Sequence, residues 1–326
     1  MHEFWTDRYL KGSPSSYMNP YQYKSRKIQA NMELKQTTSR WLKYEVDFPS
    51  AYSVYNEVSN IRGEYFQPRN VKKAPLAIVI HGWGDRGDIP CHLLARTLVK
   101  QGYAVFVFYL VFHASRMPPT MTSHMPYPNT EDWFEGYRAS IIEVRQILDW
   151  ACSRPELDTE RIAVLGISLG GFVSEIAMAV DERIKAGVFM IAGGNSEIIT
   201  WKTKSEAIVK GHGCTEEECH RIRSQYPRYQ AEVAEKGIDN AIPFMHCYLT
   251  DALTFAPYLR GRPVLMLNGK WDKTVPREAT IAFWEACHEP PIKWLPGSHI
   301  TFWLWYPRIA GEITRFLGET FEKTKR

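Results

Sequence analysis

Gly166-Ile167-Ser168-Leu169-Gly170 stands between two segments of different character. Arg161-Ile162-Ala163-Val164-Leu165, before it, is a short β-branched and aliphatic run with the pattern of a buried strand. The ten residues after it, Gly171 to Val180, read as a largely apolar helix. A chain that passes from strand to helix through one serine must turn sharply. The serine is then held in a strained backbone conformation that carries its Oγ clear of the sheet. Glycines two residues to either side let neighbouring backbone pass close, where a Cβ at 166 or 170 would collide. The helix that follows presents N–H groups without intrahelical acceptors at its start, which suit a developing negative charge.

This layout is that of a nucleophile elbow, and the remaining chain supplies a sheet to carry it. Leu76 to Ile80, Tyr103 to Leu110, Ala186 to Ala192, Pro263 to Leu267 and Pro291 to Leu295 are apolar runs of strand length. Helical patterns lie between them, over Ile89 to Gln101 and over Glu131 to Cys152, the latter with Ile141, Val144, Ile147, Leu148 and Trp150 toward the core. Apolar strands alternating with helices predict an α/β fold: a mostly parallel twisted sheet of about eight strands, covered by helices on both faces. Trp41 to Phe48 and Ile61 to Gln67 alternate instead, as an antiparallel pair at a sheet edge would. Residues 196–258 contain no strong strand pattern, and Thr215-Glu216-Glu217-Glu218 reads as a helix start. The expected organisation is an N-terminal arm at 1–38, a core formed by 39–195 with 259–326, and a helical cap insertion at 196–258.

Composition narrows the function classes. The chain has 326 residues, 44% hydrophobic and 23% charged, with a net charge of +4, and its charges are mixed throughout. The one basic cluster, Lys323-Thr324-Lys325-Arg326, reads as a solvated tail, so no nucleic-acid partner is expected. The start has an early acid and no apolar stretch, so no signal peptide is expected. The longest apolar run, Tyr103 to Phe112, is too short to span a bilayer. Six scattered cysteines without a C-x-x-C pair read as free thiols. These features predict a cytoplasmic protein without a membrane partner, and leave its oligomeric state open. His212, Cys214, Cys219 and His220 lie close in sequence, but their spacing is not a standard zinc pattern, so no metal is expected.

A serine nucleophile needs an imidazole to take its proton and an acid to orient that imidazole. In open α/β sheets such groups gather at the carboxyl ends of strands. Asp272 follows the strand at 263–267, and His299 follows the strand at 291–295, so both stand in the required order after Ser168. Asp251 is the second candidate acid, with no strand directly before it. His81-Gly82-Trp83-Gly84 follows the first parallel strand, and its glycines let a backbone N–H turn toward the site. The Trp83 and Leu169 N–H groups are the expected oxyanion hole, with His81 supporting the loop. Arg116 and Trp271 are candidate substrate-binding residues: Arg116 lies on the rim after the Tyr103 strand, where a surface salt bridge is the competing role. Trp271, Trp303 and Trp305 flank the acid and base, either lining a pocket or packing in the core.

These residues resemble those of the α/β-hydrolases over roughly 40–320, and the resemblance rests on His81 to Gly84, Gly166 to Gly170, Asp272 and His299. A narrower similarity, to dienelactone-hydrolase-like and acetyl-xylan-esterase-like serine hydrolases, rests on Arg62 to Pro68, Arg161 to Gly171, Asn268 to Asp272, and Val275-Pro276. Dienelactone hydrolases proper use a cysteine, so a serine at 168 points toward esters. The resemblance implies cleavage of a small-molecule carboxylic ester through an acyl-enzyme, with no cofactor. A thioesterase, peptidase or acyltransferase would use the same residues, and a noncatalytic ligand-binding homologue would keep only the fold.

Overall fold

The computed structural model describes residues 19–53, 59–84, 88–117, 130–203 and 206–323. Nine strands form one sheet: β1 (Asn31–Thr37), β2 (Trp41–Pro49), β3 (Asn60–Pro68), β4 (Ala74–Ile80), β5 (Ala104–Tyr109), β6 (Leu157–Ile167), β7 (Ala186–Met190), β8 (Val264–Gly269) and β9 (Ile292–Leu295). Their order is β1-β2-β3-β5-β4-β6-β7-β8-β9. The pairs from β1 to β3, and β3 with β5, are antiparallel, and every pair from β5 to β9 is parallel. The helices are α1 (Ile89–Lys100), α2 (Thr130–Cys152), α3 (Leu169–Val180), α4 (Ser196–Lys202), α5 (Glu206–Gly211), α6 (Glu216–Arg223), α7 (Tyr226–Lys236), α8 (Cys247–Thr250), α9 (Ala252–Phe255), α10 (Arg277–Ala286) and α11 (Tyr306–Lys323).

The ninth strand is β1, which falls within the expected arm. Six of its seven side chains are exposed and Met32 packs part-buried on the core, so its apolar signature is weak and its backbone ladder to β2 is what mainly holds it. Of the rest of the arm, residues 1–18 lie outside the described residues, as do residues 324–326 of the basic tail. Tyr21 is fully buried, and its hydroxyl donates to the Leu249 carbonyl at 2.5 Å.

Every residue of β4 is buried, because the sheet is covered on both faces. Leu76, Ile78 and Ile80 point to the side packed by α2, α3 and α10, with Ile141, Val144, Leu148, Val173, Ile176 and Phe283. Ala77 and Val79 point to the other side, with Leu94 and Leu98 of α1 and Ile309, Ile313 and Leu317 of α11. All five α2 residues expected toward the core are buried.

The winding reverses at β4, which has β5 on one side and β6 on the other. That switch opens a crevice at the carboxyl ends of β4 and β6, where open α/β sheets hold their ligands. Within 196–258 the described regular elements are all helical. Thr215 caps α6 with a reciprocal box: its Oγ1 accepts from the Glu218 N–H while the Glu218 carboxylate accepts from the Thr215 N–H. Asp251 ties this segment to the core. Its carboxylate accepts from the backbone N–H groups of Asn195 (2.9 Å), Ser196 (2.8 Å) and Leu253 (3.0 Å), and pairs with Arg223 at 2.7 Å. Burial alone would push the Asp251 carboxyl up, yet the Arg223 charge and the three N–H donors hold it below the usual carboxylate range.

Candidate active site

Ser168 occupies the single step between β6 and α3 with φ 52° and ψ −115°, a conformation rare for a residue with a side chain. Neighbouring backbone explains the flanking glycines. A Cβ on Gly166 would lie 2.2 Å from the Gly170 carbonyl oxygen, and one on Gly170 would lie 2.4 Å from that of Ile80. The Ser168 N–H donates to the Met190 carbonyl at 2.8 Å, which pins the elbow to the end of β7. Phe112 and Ile191, just past β5 and β7, also have positive φ, so backbone strain gathers along the carboxyl edge of the sheet.

That edge brings Ser168, His299 and Asp272 into one hydrogen-bonded line. The His299 Nδ1–H donates to Asp272 Oδ2 at 2.7 Å, and the Ser168 hydroxyl lies 2.9 Å from His299 Nε2. An ionised carboxylate only accepts, so the neutral imidazole carries its proton on Nδ1 and leaves Nε2 as acceptor for the serine proton. Asp272 is fixed in turn: its Oδ1 accepts from the N–H groups of Thr274 (2.8 Å) and Val275 (2.9 Å). The second candidate acid, Asp251, is taken up by Arg223 and three backbone N–H groups, and the acid bonded to His299 is Asp272. Trp271 is 63% exposed beside Asp272, which rules out core packing and leaves it on the rim. Trp303 packs partly buried against the core, and the Trp305 indole donates to the Pro296 carbonyl.

His81 is buried and structural. Its Nε2 accepts from the Leu110 N–H at 3.1 Å, so its Nδ1–H donates to the Gly82 carbonyl at 2.6 Å. Burial pulls its pKa down to about 4, which keeps the ring neutral and suited to both bonds. The ring thus joins the loop after β4 to the end of β5. Gly82 lies against the elbow: a Cβ there would be 3.3 Å from the Ser168 Cβ. Trp83, next in the loop, packs on Trp133 with ring centroids 5.0 Å apart. Trp83 and Leu169, the two expected oxyanion donors, both line one apolar cavity with Val111, Phe112, Trp133 and Val173.

Arg116 requires correction. It is 1% exposed and makes a bidentate pair with Glu143, at 2.5 and 2.7 Å, while also donating to the Tyr109 carbonyl. It is a buried tie between the end of β5 and α2, out of reach of a substrate on the rim. Breaking a buried pair leaves the partner charge uncompensated. Arg116→Met should therefore cost about 3–5 kcal/mol in urea denaturation. A substrate-binding role would instead raise KM without loss of stability.

Glu175 escaped the sequence reading because it lies in an otherwise apolar helix. It is wholly buried in α3, and neither carboxyl oxygen has a hydrogen-bond partner among the described residues. Burial first, and the Asp251 charge second, push its pKa well above the ordinary 4.5. The folded protein therefore keeps a proton that the unfolded chain releases. Its contribution to stability is complete below about pH 4.5 and is lost as pH rises toward the raised value. Glu175→Gln cannot ionise in either state, so its stability relative to wild type should rise between pH 5 and pH 8. Denaturant titrations at those two values test this, and parallel pH profiles for both proteins would contradict it.

Comparison with known proteins agrees with this fold. The profile of the family "Alpha/beta hydrolase domain containing 18" matches residues 15–317. An uncharacterised 31.7 kDa protein of Escherichia coli, from the traX-finO intergenic region, is 26% identical over 146 residues, covering 43% of this chain and 45% of that protein. The chain thus aligns with less than half the length of this curated relative. The acetyl xylan esterase from Paenibacillus sp. R4 has the same fold, with a TM-score of 0.59, 19% identity, and coverage of 98% of this chain and 93% of that one. Acetyl xylan esterase 1 from Thermoanaerobacterium sp. gives a TM-score of 0.60 at 16% identity, with the same two coverages. A sheet wound around the elbow at Ser168 and a family match spanning nearly the whole chain lead to one assignment: the chain belongs to the alpha/beta hydrolase domain containing 18 family.

Proposed function

We propose that this protein is a serine hydrolase that cleaves a carboxylic ester through an acyl-enzyme. The observation that carries the reading is the line from Ser168 Oγ through His299 to Asp272, at 2.9 and 2.7 Å. Ser168 attacks the ester carbonyl while His299 Nε2 takes the serine proton. Asp272 orients the ring and stabilises the imidazolium. The Trp83 and Leu169 N–H groups receive the oxyanion, each such donor contributing about 3 kcal/mol to the transition state. His299 returns the proton to the leaving alcohol, then activates a water that releases the acid from Ser168. The apolar cavity beside Trp83 and Leu169 takes the hydrocarbon part of the ester. Two structural relatives that carry the name acetyl xylan esterase are consistent with an ester substrate.

A panel of nitrophenyl esters together with a fluorophosphonate probe tests the reading. Turnover of at least one ester, and labelling that maps to Ser168, are expected. A wild-type protein that neither turns over an ester nor reacts with the probe would revive the noncatalytic binder.

A further inference from the structure

The cap contains a cluster that ester hydrolysis does not use. His212 follows α5, Cys214 lies in the link to α6, and Cys219 is on α6. A ring nitrogen of His212 and the two Sγ atoms all lie within 4.8 Å of one another. Cys219 Sγ is 3.4 Å from His212 Nε2. A tetrahedral ion bound to thiolate at about 2.3 Å and imidazole at about 2.0 Å holds the sulfur and nitrogen roughly 3.5 Å apart. The observed separation matches that edge.

Three further features suit a ligand set. His212 Nδ1 lies 3.2 Å from Thr200 Oγ1, an outer partner that turns Nε2 toward the sulfur, as metal-bound histidines require. The Trp201 ring packs edge-on against the imidazole, with centroids 5.8 Å apart. Cys219 is the most buried side chain of α6, beside Ile222, which packs part-buried on the core, and Arg223, which pairs with Asp251. The Cys219 sulfur itself lies against an imidazole and a second thiol. His220, the fourth residue considered from sequence, is exposed and faces Glu197 instead, at 3.1 Å. The spacing His212-x-Cys214-x4-Cys219 is compact because all three ligands come from one helix–turn–helix unit, a geometry that a search for standard zinc spacings passes over.

We propose that His212, Cys214 and Cys219 bind one zinc(II) ion that staples the turn between α5 and α6, with water as the fourth ligand. One imidazole and two sulfurs form a borderline-soft set that favours zinc over magnesium or calcium. Two thiolates balance the charge of the ion, and their protons leave to solvent on binding.

The experiment is metal analysis of the full chain, purified under reducing conditions without chelator from zinc-supplemented medium. About one zinc per chain is expected in wild type, falling below about 0.1 in Cys214→Ser and in Cys219→Ser. Cys152→Ser, an exposed thiol on α2, should keep the full equivalent. Cobalt(II) added to stripped wild type should give sulfur-to-metal charge-transfer absorption and the strong visible bands of a tetrahedral site, a readout independent of whether the variants fold. Wild type that holds neither zinc nor cobalt would overturn the proposal. So would full zinc occupancy in both cysteine variants, or a Cys214–Cys219 disulfide in the reduced protein.

Discussion

Ser168→Ala should lower kcat for ester hydrolysis by about 10⁵- to 10⁶-fold and leave the fold intact. The serine hydroxyl is the group aimed at His299 Nε2, at 2.9 Å, and alanine removes only that oxygen. Alanine keeps the Cβ, so it inherits the φ of 52° with no new contact against the Ile80 or Met190 carbonyls. The circular dichroism spectrum and thermal midpoint should therefore stay close to wild type. Substrate should still bind in the apolar cavity, so KM should change far less than kcat. A residual rate above the uncatalysed reaction is expected, because oxyanion donors act on the transition state even without the nucleophile. An unchanged rate in a well-folded variant would remove Ser168 from the reaction.

Much of this site was legible because its constraints are local or ordered. The elbow writes itself into sequence through two glycines whose Cβ positions are filled by neighbouring carbonyls. The acid and base follow from strand order, since each must stand at the carboxyl end of a strand. Features that depend on a partner far along the chain left no such trace. Nothing near Arg116 announces Glu143, which arrives from α2 and takes the guanidinium into the interior. Asp251 likewise looks like a catalytic acid until Arg223 and three backbone N–H groups converge on it. Strand β1 was hidden for a different reason: an edge strand held mainly by its backbone ladder, with only Met32 packed on the core, needs little apolar alternation. The cap cluster falls between these cases, its residues near in sequence but joined by a turn whose geometry spacing alone does not give.

Asp272→Asn should lower kcat by about 10⁴-fold, although the substitution is nearly isosteric. The reason lies in which atoms Asp272 presents. Its Oδ1 accepts from the Thr274 and Val275 N–H groups, so an asparagine must place its own carbonyl oxygen there. The amide NH₂ then takes the position of Oδ2 and faces His299 Nδ1. A donor there forces Nδ1 to become the acceptor, and the imidazole proton moves to Nε2. Nε2 can then no longer accept the Ser168 proton, so the nucleophile stays protonated at neutral pH. Asp272→Ala should cost a similar factor through a different loss, because the ring keeps its choice of tautomer but loses its orientation and counter-charge. The two variants separate in their response to pH. Alkaline pH should recover part of the Asp272→Asn rate, because hydroxide in solvent can take the serine proton that the misoriented tautomer cannot. A rate for Asp272→Asn within tenfold of wild type at neutral pH would mean that another acid, or none, serves His299.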